Sequence, residues 1–163
     1  MVQVGDVVNY ASYKWFVIKV GKHNITLLAK DFYFGKHRFD TSCTNYETSE
    51  IRAYLNSTIL RSIKNAGGDP LPVKLRDVGV TDKVWLLSIK EAKSLHSEMR
   101  DIGDWYWLRS PGNYSNCVAD VRCDGGVGTN GCFFDNDLGC IRPVIRIKAE
   151  ELFKEKQNLA NCL

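Results

Sequence analysis

Through the first third of the chain, apolar and polar positions alternate with the period of two that marks a strand. Residues 7–10, 13–20 and 25–29 are rich in β-branched and aromatic side chains. Ala11-Ser12 and residues 21–24 interrupt them, so three short strands are expected. The aromatic stretch 31–39 reads as a further short strand. The spacing then lengthens. Ile51, Tyr54 and Leu55 stand at i, i+3 and i+4 behind Ser49, a residue suited to capping a helix N-terminus. A second short helix is expected after Ser57, with Ile59, Leu60 and Ile63 turned inward and Gly67-Gly68 ending it. Residues 67–75, with Pro70 and Pro72, read as a loop, and 83–87 as a short buried strand. Ser88 followed three residues later by Glu91 makes a capping box, which predicts a helix over 89–99.

The pattern changes in the last third. Residues 105–109 (WYWLR) form a dense aromatic strand that Ser110-Pro111-Gly112 closes. Between 110 and 140 lie six of the 13 glycines and four of the six cysteines, with four asparagines and four aspartates. Inside that segment, residues 118–122 alternate, so Asp120 and Arg122 share one face and Ala119 and Val121 the other. Residues 141–147 close the fold as an apolar strand, and 149–163 form a charged amphipathic helix or a frayed tail. No repeat or linker divides the chain. The expected fold is α+β: one domain over 1–148 of small mixed antiparallel sheets, two or three short helices and a long loop-rich C-terminal segment, 110–140.

Composition narrows the function classes. Net charge is +3, from 22 basic against 19 acidic residues, and the basic residues are dispersed. That balance speaks against nucleic acid as a partner. No stretch approaches the roughly 20 apolar residues of a membrane span. The N-terminus has no charged n-region followed by an apolar h-region, so synthesis in the cytosol without a signal peptide is expected. The cysteines at 43, 117, 123, 132, 140 and 162 have no CxxC spacing, and His23, His37 and His96 are remote from them in sequence. Free thiols are expected, with no metal site and no cofactor.

Gly126 to Gly131 matches GxGxxG, but CFFDNDLGC follows, which does not open the helix a dinucleotide site requires; a turn-rich surface loop is the simpler reading. A cysteine nucleophile needs a neighbouring base, and no histidine lies in the segment. Asp120, Asp124, Asp135 and Asp137 read as turn formers rather than calcium ligands. Trp105 and Trp107 read as core. Arg109 and Arg142 read as ties between loop carbonyls and the sheet, because a buried guanidinium must satisfy five donors. The sequons at Asn24 and Asn56 carry no weight without secretion.

Residues 105–112 (WYWLRSPG), the Gly/Asn-rich stretch, and Gly139-Cys140-Ile141-Arg142-Pro143 together resemble the C-terminal signature of a bacterial and phage domain family with a C-type lectin-like fold. Gly5-Asp6, the Trp15 strand, residues 49–56 and Trp85-Leu86-Leu87-Ser88 extend the resemblance over about residues 4–147. Tyr106 and Cys140 depart from the family pattern. The resemblance implies a C-type lectin-like fold and kinship with the variable proteins of diversity-generating retroelements. In those proteins, randomised Asn codons never yield Lys, Glu, Gln, Trp or Met. Those five types supply 28 residues of this chain and none between 110 and 140, where their frequency elsewhere predicts about six or seven.

What the resemblance implies about function is a non-enzymatic display domain that binds a protein or surface ligand, on a phage or cell surface, through residues 113–138. The positions expected to be diversified and to contact ligand are Asn113, Tyr114, Asn116, Cys117, Asp120, Arg122, Cys123, Gly126, Gly128, Asn130, Cys132, Phe133 and Asp137. Tyr114, Arg122 and Phe133 are the expected energetic anchors, and nothing in the pattern selects an oligomeric state. Two alternatives stay open: a Cys-dependent enzyme akin to formylglycine-generating enzymes, and a structural phage or prophage surface component.

Overall fold

The structure, a computed structural model, describes residues 1–161, apart from the side chains of 155–159. Cys162, expected to be free like the other cysteines, lies outside the described residues. The chain opens with β1 (Val7–Tyr10), β2 (Tyr13–Val20) and β3 (Asn24–Ala29). Trp15 and Val17 on β2 are fully buried. The β1–β2 turn consists of Ala11 and Ser12, both at positive φ, 49° and 66°. A two-residue hairpin turn demands that left-handed geometry, and L-residues resist it. Trp15 Nε1 braces the turn by donating to the Tyr10 carbonyl at 2.9 Å.

Residues 31–39 do not form a strand. Phe32 N–H bonds the Asp31 carboxylate, and Gly35 N–H bonds the Phe32 carbonyl with Gly35 at φ 74°. The chain turns there, so its aromatics pack individually: Phe34 against Tyr13 and Trp15, and Phe39 against Tyr46 and Trp107.

The helical stretch follows as α1 (Glu50–Tyr54), a π-helical turn (Leu55–Ile59) and α2 (Leu60–Asn65). Ser49 Oγ caps α1 at the Arg52 N–H. The two expected helices are thus one rod with a bulge, and Asn56 accounts for the bulge. Its amide donates to the Arg52 and Val84 carbonyls and accepts from the Lys83 and Val84 N–H groups. It therefore ties the π-helical turn to the backbone of residues 83 and 84. Next come β4 (Val73–Leu75) and β5 (Val80–Asp82), a hairpin whose first strand takes part of the expected loop, and then β6 (Val84–Trp85).

The capping box at Ser88 and Glu91 is complete. The helix it starts nevertheless ends early, as α3 (Ile89–Ser94), and the chain resumes as α4 (Ser97–Arg100). Arg100 bonds the Ala92 and Leu95 carbonyls. A side chain thus caps the end of α3 where neither Gly nor Pro signals a stop.

The last strands are β7 (Tyr106–Pro111), β8 (Cys117–Val121), β9 (Val127–Phe133) and β10 (Val144–Lys148), followed by the helix α5 (Ala149–Asn161). β10 lies between β3 and β6 in a five-stranded antiparallel sheet ordered β1-β2-β3-β10-β6. The antiparallel meander β7-β8-β9 forms a second sheet. Cys140 joins the two regions: its N–H bonds the Trp105 carbonyl and its carbonyl accepts from Trp107 N–H, while the next N–H, of Ile141, bonds Gly35. The fold is α+β, built from small antiparallel sheets and short helices around a core that contains Trp15, Leu27, Ile51, Leu86, Trp107 and Ile145. No helix among the described residues is long and apolar enough to cross a membrane.

Candidate functional site

The meander β7-β8-β9 carries the Gly- and Cys-rich segment, and two buried arginines fix its ends. Arg109 uses its whole fork. Nε and Nη2 donate to Asp77, Nη1 and Nη2 to Glu91, and Nη1 also to the Leu86 carbonyl. Burial opposes the charge, but the two carboxylates outweigh it and hold the guanidinium pKa above its ordinary value. Arg142 donates to the Ala29 carbonyl and to Tyr106 Oη, and its guanidinium lies 5.1 Å from the Tyr106 ring centre. Burial lowers its pKa, partly offset by Tyr106. The expectation of carbonyl ties is met at both arginines, with carboxylates added at Arg109, but at Arg142 one donor, Nη2, has no partner among the described residues.

Between these anchors, Gly126 to Gly131 belong mostly to strand β9 rather than to the expected surface loop. The glycines are there because backbones and side chains crowd them. A Cβ at Gly131, which has φ 78°, would overlap the Val118 carbonyl, and one at Gly112 would lie 2.5 Å from the Asn130 carbonyl. No helix follows, so the dinucleotide reading stays rejected on the geometry it requires.

Eight of the thirteen expected contact positions are exposed: Asn113, Tyr114, Asn116, Arg122, Cys123, Asn130, Phe133 and Asp137. Gly126 and Cys132 are half-buried. Cys117, Asp120 and Gly128 are buried, which corrects their placement as freely variable surface positions. Every residue of β8 is buried, so the expected division between an outward Asp120–Arg122 face and an inward Ala119–Val121 face fails at Asp120. Trp105, Cys132 and Asn136 line the same cavity as Asp120, and neighbours so distant in sequence leave no trace in the local alternation. Cys117 pairs with Phe133 across the sheet, and Gly128 pairs with Asp120.

Asp120 is the unusual residue of the site. It is 8% exposed, and among the described residues nothing donates a hydrogen bond to its Oδ1. Burial pushes its carboxyl up to about 6, against the pull of Arg122. It is no turn former, since it sits mid-strand; Asp124 is one, accepting from Gly126 N–H. Asp120 opens into a shallow cavity of about 480 Å³. Trp105 supplies one wall, and Cys132 and Asn136 supply another, with Asn136 Nδ2 donating to Cys132 Sγ. Arg122, Cys123 and Asp124 complete the lining. The core reading holds for Trp107, which is fully buried and donates to the His37 carbonyl. It holds only in part for Trp105, which packs against the core, edge-on to Trp107 at 5.0 Å, but is half-buried.

The thiols are held in their protonated form where they are buried. Burial, then the neighbouring charge and hydrogen bond of Asp104, push Cys140 up to about 12. Burial raises Cys117 as well, helped by Cys132 and Asp120. Cys43, Cys117, Cys123, Cys132 and Cys140 are all free. Among the described residues, no group of three or more metal-ligating side chains comes together.

Comparison with known proteins gave no matching family model, curated protein or solved structure.

Proposed function

We propose that this chain is a C-type lectin-like display domain of the retroelement variable-protein kind, binding a protein or surface ligand through the exposed side of residues 113–138. The observation that carries the reading is where large apolar side chains meet solvent. Tyr114, Leu138 and Phe133 are 61%, 58% and 57% exposed, above every other large apolar residue among the described ones except Met1. Tyr114 and Phe133 share one end of the meander, because Cys117 pairs with Phe133 and its N–H bonds the Tyr114 carbonyl. Exposed aromatics on a rigid sheet are what a recognition surface needs, since they add contact area at small conformational cost.

Further support comes from the anchoring. Arg109 and Arg142 are buried at the two ends of the segment, so exposed side chains between them can change while the core stays fixed. The pairing of β10 with β3 beside a separate three-stranded meander suits the C-type lectin-like expectation. The raised thiols of Cys117 and Cys140 speak against these two residues as nucleophiles, which act as thiolates.

The test is genetic. An adjacent near-copy of the DNA for residues 110–140, together with a reverse transcriptase gene, is the expected finding. Copies from related strains should differ at Asn113, Tyr114, Asn116, Arg122, Asn130 and Phe133, and should retain Gly112 and Gly131. Variation spread evenly over the chain would overturn the reading.

A further inference from the structure

We propose that the cavity between Trp105 and Asn136 receives one cationic side chain, a lysine ammonium or an arginine guanidinium, presented by a protein ligand. The inference rests on the display reading and names the chemistry that its surface selects.

Three observations converge. Asp120 places a carboxylate in the cavity, and its Oδ1 has no donor among the described residues. A buried carboxylate in that state is costly by itself, and an incoming N–H donor of positive charge removes the cost. The only basic side chain lining the cavity, Arg122, is 63% exposed and lies 3.9 Å from Asp124 across an ion pair. Arg122 thus pairs with Asp124 and reaches Asp120 only through its field, so no donor meets Asp120 Oδ1. Trp105, finally, is half-buried against Trp107 and forms a cavity wall. Indole is the aromatic surface that attracts cations best. At about 480 Å³ the space falls in the range of small-ligand sites and accommodates a single long side chain.

The same features select against other occupants. An anion meets the unmatched carboxylate. An apolar side chain fills the space but leaves Oδ1 without a donor. Gly128 keeps the carboxylate in position, because a Cβ there would overlap Oδ1.

The test uses the full chain and three capped amino-acid amides: N-acetyl-lysinamide, N-acetyl-argininamide and the neutral N-acetyl-norleucinamide. Binding is followed by calorimetry and by the Trp105 indole N–H resonance in heteronuclear NMR at pH 7.5. The two cationic probes are expected to bind about tenfold or more tightly than the neutral one. D120N should abolish that preference, and Trp105→Leu should weaken it. Arg122→Gln removes a competing charge and should strengthen binding a fewfold. Equal binding of norleucinamide, or an undiminished preference in D120N, overturns the inference.

Its failure is separable from failure of the display reading. Even variation across strains, with the cation preference intact, sinks display and leaves the pocket. Confined variation with no cation preference does the reverse.

Discussion

Asp120 and Gly128 face each other across β8 and β9, and the carboxylate fills the space that any side chain at 128 would need. Gly128→Ala must therefore displace the Asp120 side chain. A loss of about 1–3 kcal/mol is expected in chemical denaturation, the range for disturbing a buried polar group. Gly126→Ala serves as the comparison. There the new Cβ meets the end of the Arg122 side chain at 2.8 Å, which can swing away, and Asp124 Oδ1 at 3.0 Å. Its stability should change by less than about 0.5 kcal/mol.

Asp120 also carries a pH signature. Its carboxyl is raised from 3.8 to about 6 in the folded protein, so between those values the folded state holds a proton that the unfolded chain has released. The residue favours folding below about pH 4, and that contribution is lost as pH rises through 6. D120N should therefore stabilise the protein at pH 7.5 by on the order of 3 kcal/mol and leave it unchanged at pH 3.5. The measurement is the difference between wild-type and variant unfolding free energies across pH. A constant difference would refute the burial of the charge.

Arg109 ties three segments of chain to the base of β7. Arg109→Met removes the donor to Leu86 and frees Asp77 and Glu91, whose side chains are 46% and 41% exposed and regain solvent. A cost of about 1–2 kcal/mol is expected, most of it from the lost hydrogen bonds. Arg109→Lys should recover less than half of it, since one ammonium cannot reproduce the bidentate contacts. Urea denaturation of the two variants checks both values.

Asn56 makes four hydrogen bonds from the π-helical turn to neighbouring backbone. Asn56→Ala leaves Lys83 and Val84 N–H groups without that acceptor and should cost about 2 kcal/mol. Amide exchange should accelerate at residues 83 and 84 before it does in β3.

Ser12 is exposed at φ 66° in the first hairpin. Ser12→Gly relieves left-handed strain and should stabilise the fold by about 1 kcal/mol, read as a raised Tm. The same change at Ala11, which is buried, loses packing and should bring less.

What the sequence revealed followed the range of the forces involved. β1, β2 and β3 and the capping box at Ser88 are set by neighbours a few residues apart, and they stand where the pattern puts them. The break after Ser94 depends on Arg100, and the bulge at residues 55–59 depends on contacts from Asn56 to residues 83 and 84. Local periodicity carries neither. The site was legible as a segment, because its glycines and asparagines cluster, but not as a surface. Asp120 alternates like an exposed residue, and only neighbours brought in by the fold, Trp105, Gly128, Cys132 and Asn136 among them, make it interior. Trp105 is the mirror case, an apolar residue packed on the core yet left half-exposed at the cavity.

The pairing of β10 with β3 joins Val144 to Leu28 and so closes a chain loop of more than a hundred residues, with the whole meander inside it. For a loop already so long, added length brings little further entropic loss: each doubling costs only about 0.6 kcal/mol. Length added in the exposed turn 113–116 therefore barely changes the entropy of that long closure, and its cost is set by the local turn between Gly112 and Cys117. That turn can lengthen or shorten over generations while the pairing that closes the loop stays unaltered.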